Sequence, residues 1–288
     1  MKFAKKFSLV LLFCSFCSFS QEDNLSAEEN SKDKHWTFTI DLVSRYLWRG
    51  QCWGGNYAAI QPSVEYAITP KFSIGTWATT NFKKEYYYPD NENYYRGYQE
   101  IDLYLSYQIT DFLQLQLWDY YWPSVSKVEG VSNKLFDYSP SSSQTLDAIL
   151  YFDFLEAYHI PLNATISTLV GGNDYRYDAN DSPKRNFTTY LEMGYVFDLF
   201  AESKNKYSKH IELSPSVGVV LNNKAAYYNF ADYDKASLVN LSLKAKKEFD
   251  LGNNIVMPFT INYIHNAATA NTNFFGKDFL IAGISFGY

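Results

Sequence analysis

The chain has 288 residues, of which 47% are hydrophobic and 19% are aromatic, with 26 tyrosines and 22 phenylalanines. Its 25 basic and 31 acidic residues give a formal net charge of −6, which argues against a nucleic-acid partner because phosphate recognition requires a basic surface. A mean hydropathy of −0.30 excludes a helical membrane protein, but it permits a β-barrel, in which only every second strand residue contacts lipid.

The chain begins with the features of an export signal. Lys2, Lys5 and Lys6 form a positive start, Phe7–Phe16 is an apolar core, and Ser18–Ser20 supplies the small residues of a cleavage site. The apolar core is too short for a membrane anchor, since a spanning helix needs about 20 residues. We therefore predict a signal peptide that is removed on export.

Cleavage would divide the chain into a signal peptide at 1–20, a disordered polar lead-in at 21–34 and one β-barrel domain at 35–288. Three of the 25 basic residues would leave with the signal, so 22 bases would face 31 acids and the mature net charge would be near −9. The balance of the exported chain is therefore clearly acidic.

Two of the three cysteines lie in the predicted signal. A lipoprotein signal at Cys14 or Cys17 is the alternative, but Phe13 and Phe16 stand where such signals have a small residue. After cleavage only Cys52 would remain, which allows no intrachain disulfide and no cysteine metal cluster. We expect no metal and no cofactor.

Residues 36–49, with the sequence WTFTIDLVSRYLWR, form the first predicted element. Apolar side chains occupy most even positions, whereas hydroxyl and charged side chains occupy most odd ones. Because a strand sends alternate side chains to opposite faces, this pattern predicts a strand with one apolar and one polar face. Its length exceeds the roughly 5–6 residues usual in soluble proteins and suits a tilted strand that crosses a bilayer.

The same alternation recurs along the chain and predicts about 12 strands, an even number as in single-chain bacterial barrels. The predicted strands are 36–49, 57–68, 72–82, 99–109, 113–122, 146–152, 162–170, 190–197, 212–221, 239–245, 257–263 and 280–288. We expect Pro62 at a bulge or an unpaired position, because proline lacks the N–H that a strand ladder uses. A slip in the alternation predicts a second bulge at 118–122.

The predicted connections alternate in length. Those at 69–71, 110–111, 155–161, 198–209 and 250–254 are mostly short, whereas those at 83–98, 123–143, 171–186, 222–235 and 266–277 are mostly long, with 50–56 as the exception. Short periplasmic turns and longer outer loops are typical of outer-membrane barrels, and this order puts both termini in the periplasm. The alternative is a soluble β-sandwich or lipocalin-like barrel, with shorter strands and an inward apolar face.

We therefore predict an all-β fold, an antiparallel transmembrane β-barrel in the outer membrane of a Gram-negative bacterium. The final residues Phe286–Tyr288 are similar to the terminal signal that the barrel assembly machinery reads. We expect the last strand to pair with 36–49, since a barrel leaves no strand edge unpaired. The expected partners are this machinery, outer-membrane lipid and lipopolysaccharide.

Five segments in the first half of the chain carry a family resemblance. They are SRYLWRGQ at 44–51, PSVEY at 62–66, GTWA at 75–78, EIDLY at 100–104 and YYWP at 120–123. Together they resemble the TorF-type porin family, also described as a domain of unknown function. Arg45 stands where that family often has an acid. The resemblance implies an outer-membrane channel of unassigned solute and supplies no catalytic residues.

Charged residues of the predicted strands fall on the polar face, and a cation on the lipid face would cost about 2–4 kcal/mol at midplane. The predicted lumen-lining charges are Asp41, Arg45, Arg49, Glu65, Glu100, Asp102, Asp147, Glu192, Glu212 and Lys244. Their excess of acids predicts a water-filled lumen that favours cations. The alternative is a plug of paired acids and arginines with tyrosines in the gaps, because a barrel of about 12 strands lies between filled and open sizes.

The loop at 83–98 is rich in tyrosine. Stacking on sugars or planar ligands is one interpretation, but we expect these rings in the aromatic girdle at the outer interface. The tyrosines are Tyr86, Tyr87, Tyr88, Tyr94, Tyr95 and Tyr98. Asp174, Asp178 and Asp181 suggest calcium only weakly, since they lack the EF-hand spacing and glycine.

A barrel hydrolase needs an imidazole beside its nucleophile. His35, His159 and His210 fall at predicted periplasmic ends, and His265 lies near the outer rim without a Ser or Asp at a useful spacing. We therefore do not expect an enzyme. The predicted function is a porin-like channel for passive diffusion of small polar solutes or ions, with a mild cation preference. The alternative is a structural or ligand-binding, adhesin-like barrel without conductance.

Overall fold

The computed structural model describes residues 35–81, 85–86, 95–96, 98–123, 130–205, 207–222, 236–252, 256–268 and 276–287. The predicted signal peptide and lead-in lie outside these ranges, as does Tyr288. No helix within the ranges is long and apolar enough to cross a membrane.

The described part of the chain forms seventeen strands and one short helix. The elements are β1 (Trp36–Val43), β2 (Ala59–Thr69), β3 (Phe72–Asn81), β4 (Glu85–Tyr86), β5 (Tyr95–Arg96), β6 (Gln99–Thr110), β7 (Leu113–Tyr121), β8 (Gln144–Asp153), α1 (Leu155–Tyr158), β9 (Leu162–Gly172), β10 (Tyr175–Tyr177), β11 (Pro183–Arg185), β12 (Thr189–Tyr195), β13 (Phe197–Leu199), β14 (Ile211–Val220), β15 (Ser237–Asp250), β16 (Val256–His265) and β17 (Asp278–Gly287).

Twelve strands form one sheet that closes on itself, with every neighbouring pair antiparallel. The order around the ring is β1-β2-β3-β6-β7-β8-β9-β12-β14-β15-β16-β17. The ring closes where β1 pairs with β17, from Thr39 opposite Gly287 to Val43 opposite Gly283, and where β12 pairs with β14. The predicted barrel of about 12 strands is therefore confirmed, including the pairing of the two end strands.

The two faces of the barrel wall have opposite chemistry. The outer face exposes large apolar side chains, such as Leu280 at 64% and Ile101 at 51%. The inner face buries polar and charged ones, such as Asp102 at 2% and Asp147 at 0%. A soluble barrel has the reverse distribution, with apolar side chains filling its middle. The fold is a transmembrane β-barrel, and the soluble alternative is wrong.

The two ends of the barrel differ in their connections. At one end, which we name the short-turn end, residues 70–71 join β2 to β3 and residues 111–112 join β6 to β7. The other end, which we name the long-loop end, carries longer connections, of which the first covers residues 44–58. The predicted alternation of short and long connections is therefore present in the fold.

The first strand is shorter than predicted. β1 ends at Val43 rather than at Arg49. Its backbone pairing with β17 ends at Ser44, whose amide donates to the Ala282 carbonyl at 2.8 Å. The predicted short connection at 50–56 is thus the middle of the long connection at 44–58. It is no longer an exception to the alternation of short and long connections. Alternation continues in the sequence beyond Val43, but the chain leaves the sheet there.

The irregular positions of the wall also differ from the prediction. β7 pairs with β6 without interruption at Trp118 and Tyr120, so the bulge predicted at 118–122 is wrong. Shifts of register lie elsewhere, for example between Gly218 and Val219 in β14. Pro62 is skipped in the pairing of β2 with β3, which agrees with the predicted unpaired position.

Candidate functional site

Residues 44–58, which we name the inward segment, leave the wall after β1 and fold into the barrel before β2. Trp48 and Gln51 close a turn in this segment through two backbone hydrogen bonds of 2.9 Å. Arg49 and Gly50 form the turn with positive φ angles of 47° and 82°. Because glycine tolerates a left-handed backbone, Gly50 allows the chain to reverse at this point.

The turn rests on the part of the wall that includes β15. The side-chain amide of Asn266 donates to the Gly50 carbonyl at 2.9 Å, and this bond is buried. A Cβ added at Gly50 would lie 2.0 Å from the carbonyl oxygen of Val239, so no larger residue fits without movement. Gly50 is therefore required both by its backbone angle and by its close neighbour.

The other side of the inward segment contacts β3 and the start of β6. Asn81 donates from its side-chain nitrogen to the Gly54 carbonyl at 2.6 Å. The ring of Tyr46 packs against Trp77 and Tyr98, with centroid separations of 5.5 Å to each. Since β3 and β15 are far apart in the order of strands, the inward segment spans the lumen.

An ion pair joins the inward segment to a third part of the wall. Arg49 Nη2 lies 3.0 Å from Asp147 Oδ2, and the Asp147 side chain is fully buried. Arg49 Nη1 also donates to Ser167 Oγ at 2.7 Å. The Tyr120 hydroxyl also donates to Asp147, at 3.1 Å. The Arg49 guanidinium lies 4.8 Å from the ring centroid of Tyr190. A buried charge pair with this many partners fixes the segment to β8 and β9.

Two cavities lie on either side of three aromatic side chains, Tyr46, Trp48 and Tyr120, which line both. The loop-side cavity has a volume of about 220 Å³ and is also lined by Trp53, Tyr98, Glu100, Trp122 and Asp174. The lumen cavity lies toward the short-turn end, has a volume of about 300 Å³ and is also lined by Trp77, Asp102, Gln116, Trp118 and Tyr151. The inward segment therefore narrows the lumen between them.

Glu100 and Asp102 are successive inward-facing residues of β6, and both are buried. Glu100 accepts a hydrogen bond of 2.8 Å from the Tyr98 hydroxyl. Asp102 Oδ1 has no hydrogen-bond partner among the described residues. Neither carboxylate forms an ion pair within the described chain, in contrast to Asp147. This part of the wall therefore places two acidic side chains together without a basic partner among the described residues.

The remaining predicted lumen charges have mostly local partners. Glu65 accepts from Tyr104 at 3.0 Å, and Glu192 accepts from Asn240 at 2.8 Å. Asp41 accepts a hydrogen bond from Ser285, and Lys244 is exposed at a position opposite Ser214. Most inner-face charges are therefore held by neighbouring strands.

Two of the predicted charges do not belong to the first strand. Arg45 and Arg49 lie in the inward segment, because β1 ends before them. Arg45 donates to Asn56 at 2.8 Å, within the same segment, and its guanidinium lies 5.9 Å from the ring centroid of Phe279. Arg45 and Arg49 therefore lie inside the barrel because the inward segment folds there, and not because they belong to a wall strand.

Sequence reasoning missed several inner-face residues. Lys246 lies 3.5 Å from Glu212 and 2.8 Å from Glu248, and its shared parity with Lys244 was the signal available for it. Alternation already placed Ser167 and Tyr190 on the polar face, but nothing in the sequence indicated that they surround Arg49. Val239 was predicted to face outward, yet it is fully buried with Tyr190. The register shift in this part of the sheet accounts for that change of face.

The loop tyrosines divide into three groups. Tyr86 and Tyr95 pair across β4 and β5, and nothing more is described of their side chains. Tyr87, Tyr88 and Tyr94 lie outside the described residues. Tyr98 was predicted as an exposed loop aromatic, and this is wrong. It is 8% exposed, packs on Tyr46 and donates to Glu100 inside the barrel.

Polar centres also tie the long loops to the barrel. Asp174 accepts from the Thr188 amide at 2.8 Å and from its hydroxyl at 2.6 Å, yet burial raises the pKa of this carboxyl. Asp119 accepts from Gln144 at 2.7 Å and from Tyr138 at 2.8 Å. Burial and the bond to Asp119 raise the pKa of Tyr138 to about 12. These acids hold loops in place, and Asp178 serves the turn before β11.

His265 has an aspartate beside it that spacing in the sequence did not indicate. His265 Nδ1 lies 2.7 Å from Asp278 Oδ1, a residue from the neighbouring strand β17. Tyr263 also donates to this carboxylate, at 2.6 Å. Across the described ranges, no hydroxyl or thiol is hydrogen-bonded to the other ring nitrogen of His265.

The closed wall, apolar outside and charged inside, defines the class of transmembrane β-barrel proteins. A family model described as "Bacterial protein of unknown function (Gcw_chp)" matches residues 27–150. This match covers the first strands, the inward segment and the acids of β6. No curated protein matches the chain significantly in sequence.

Several solved barrels are similar in outline. The NanC porin is 9% identical with a TM-score of 0.44, covering 87% of this chain and 97% of its own. LpxR from Salmonella typhimurium is 8% identical with a TM-score of 0.43, covering 88% and 99%. OmpF from Salmonella typhi, in complex with daunomycin, is 9% identical with a TM-score of 0.36, covering 88% and 96%. Likenesses this weak indicate nothing about solute or activity, and the barrel is established by its own strand pairing.

Proposed function

We propose that the protein is a channel of the Gram-negative outer membrane, of the TorF type, that passes small polar solutes or ions by diffusion. The observation that carries this proposal is the polar inner face with cavities on both sides of the inward segment. A closed wall with an apolar exterior is suited to lipid, and a charged interior is suited to hydrated solutes.

The orientation follows from the two ends of the barrel. The long-loop end faces the outside and both termini lie in the periplasm, as in other outer-membrane barrels. The signal peptide at 1–20 supplies export, and the final strand is the one that the assembly machinery recognises. Lipid and lipopolysaccharide surround the apolar face of the wall.

The mild cation preference rests on the unequal balance of charge around the lumen. Arg49 is neutralised by Asp147, so this base does not offset the other acids. Glu100 and Asp102 have no basic partner within the described residues. An acidic lining lowers the electrostatic energy of a cation in the lumen and raises that of an anion.

A plugged or ligand-binding barrel is the second candidate. The observation that favours it is the inward segment itself, which spans the lumen and is fixed by the buried Arg49–Asp147 pair. In this case the barrel would bind a molecule at one face and would conduct nothing. The segment would then act as a permanent closure.

Planar bilayers separate the two candidates. The native protein should give stepwise conductance, and substituting a large cation for potassium should reduce the current more than substituting a large anion for chloride. A matched variant replaces residues 46–56 by a Gly-Ser linker and should conduct more. If the native protein is silent while the linker variant conducts, the barrel is plugged. If both are silent, the channel proposal is refuted.

A further inference from the structure

We propose that the lumen cavity binds a small organic cation whose ammonium or guanidinium group donates hydrogen bonds to Asp102. The inference rests on the proposed function and deepens it, because it names the class of solute that the lumen recognises. Its elements are a buried carboxylate oxygen without a donor among the described residues, an aromatic wall and a volume that suits a small organic molecule.

The carboxylate is the first element. Asp102 is 2% exposed, lines the lumen cavity, and leaves Oδ1 without a hydrogen-bond partner among the described residues. Glu100 adds a second buried acid two residues away on the same face. A buried charge is costly unless it is paired and hydrogen-bonded, so a cation that carries N–H donors would stabilise this carboxylate.

The aromatic wall is the second element. Trp77, Trp118 and Tyr120 line the cavity together with Tyr46, Trp48 and Tyr151. One of these rings is held in place by two neighbours. Trp118 stacks on Tyr104 with centroids 4.4 Å apart and donates to Gln116 at 2.8 Å. Aromatic faces attract cations through the ring quadrupole, and this attraction grows when water is excluded.

The combination selects against other ligands. An anion would meet the Asp102 carboxyl, and Arg49, a base of the inward segment, is already paired with Asp147. A divalent metal ion takes six or more oxygen ligands or a near-ideal octahedron, and the described residues contain no group of three metal-binding side chains. The volume of about 300 Å³ leaves room for an organic molecule beside the carboxylate.

Binding to the full chain, folded in detergent micelles, tests the proposal. The probe is n-butylammonium, with 1-butanol and butyrate as its neutral and anionic isosteres, and the readouts are calorimetry and quenching of tryptophan emission. We expect butylammonium alone to bind, and Asp102→Asn to weaken it about tenfold or more, as for loss of a hydrogen bond to a charged group. Equal binding of 1-butanol, or equal affinity of Asp102→Asn, overturns the proposal.

The control is Asp278→Asn, which removes the same charge from the exposed outer end of β17 and should leave affinity unchanged. If Asp102→Asn does not fold, Trp77→Leu replaces it and should weaken binding about threefold or more through the lost cation–π contact. Displacement of the probe by glucose or by potassium at equal concentration would assign the cavity to a sugar or an inorganic ion and overturn it. Binding without conductance refutes only the channel, and conductance without binding refutes only this site.

Discussion

Asp147 and Asp102 are two buried aspartates on the same inner face, and they differ in the partners of their carboxylates. The Asp147 carboxylate pairs with Arg49 and accepts hydrogen bonds from Tyr120 and Ser167. Asp102 keeps one oxygen without any described donor. The comparison teaches that burial alone does not tell whether a charge is structural. The first carboxylate holds a segment across the lumen, whereas the second remains available to a solute.

The largest expected effect comes from breaking the satisfied pair. Arg49→Ala leaves the fully buried Asp147 without its counter-charge, and we expect a loss of about 3–5 kcal/mol in the free energy of unfolding. The measurement is urea unfolding in lipid vesicles followed by tryptophan emission. Single-channel conductance of the same variant should rise, because the inward segment loses its anchor on β8.

The control for this variant removes both charges together. Arg49→Met combined with Asp147→Leu should lose less stability than Arg49→Ala, because no buried charge is left unpaired. Equal stability of Arg49→Ala and the native protein would show that the pair does not hold the segment.

A second variant loosens the tip of the segment without touching any charge. Gly50→Ala places a Cβ 2.0 Å from the Val239 carbonyl oxygen at a φ of 82°, and should cost about 1–3 kcal/mol. Gly130→Ala is the matched control, since its φ is 78° but no described atom lies within 4 Å. It should show only the backbone cost of about 1 kcal/mol. The same unfolding measurement applies, and equal losses would mean that the tip is not packed on β15.

Neutralising the unpaired acids should act in the opposite direction. Asp102→Asn should raise the free energy of unfolding by about 1 kcal/mol, because it removes the cost of burying an uncompensated charge, whereas Asp147→Asn should lower it. The double variant Asp102→Asn with Glu100→Gln should also shift the reversal potential toward equal permeability of cations and anions. An unchanged reversal potential would remove these acids from the account of selectivity.

The smallest effect concerns Asp174, a buried carboxyl held by neutral donors in a loop. Burial raises its folded pKa above the ordinary 3.8, so the loop is best held below that value and loses stability as the pH rises through the folded pKa. Hydrogen exchange of residues 171–188 should accelerate over this range beyond its intrinsic pH dependence. Asp174→Asn should abolish the excess, and an identical excess in both proteins would contradict the assignment.

The strand pattern was predictable because the face on which a wall residue lies follows from the alternation of its immediate neighbours in sequence. Asp102 and Asp147 have apolar residues on both sides and Glu100 shares the parity of Asp102, so period-2 alternation puts all three on the inner face. The pairing of the first and last strands was also predictable, because a barrel cannot leave an edge in lipid. Tyr98 was misplaced because a ring at a strand end can turn into the barrel as easily as into the interface.

The sequence by itself determined the number of strands, the face of most wall side chains and the acidic character of the interior, since all of these follow from local periodicity. Only the tertiary structure decided that alternation stops forming a wall at Val43 and that Arg49 meets Asp147. These two residues are 98 positions apart, and they meet because the inward segment folds across the closed ring to β8. Local patterns record which way a side chain points, but not what lies across the lumen from it.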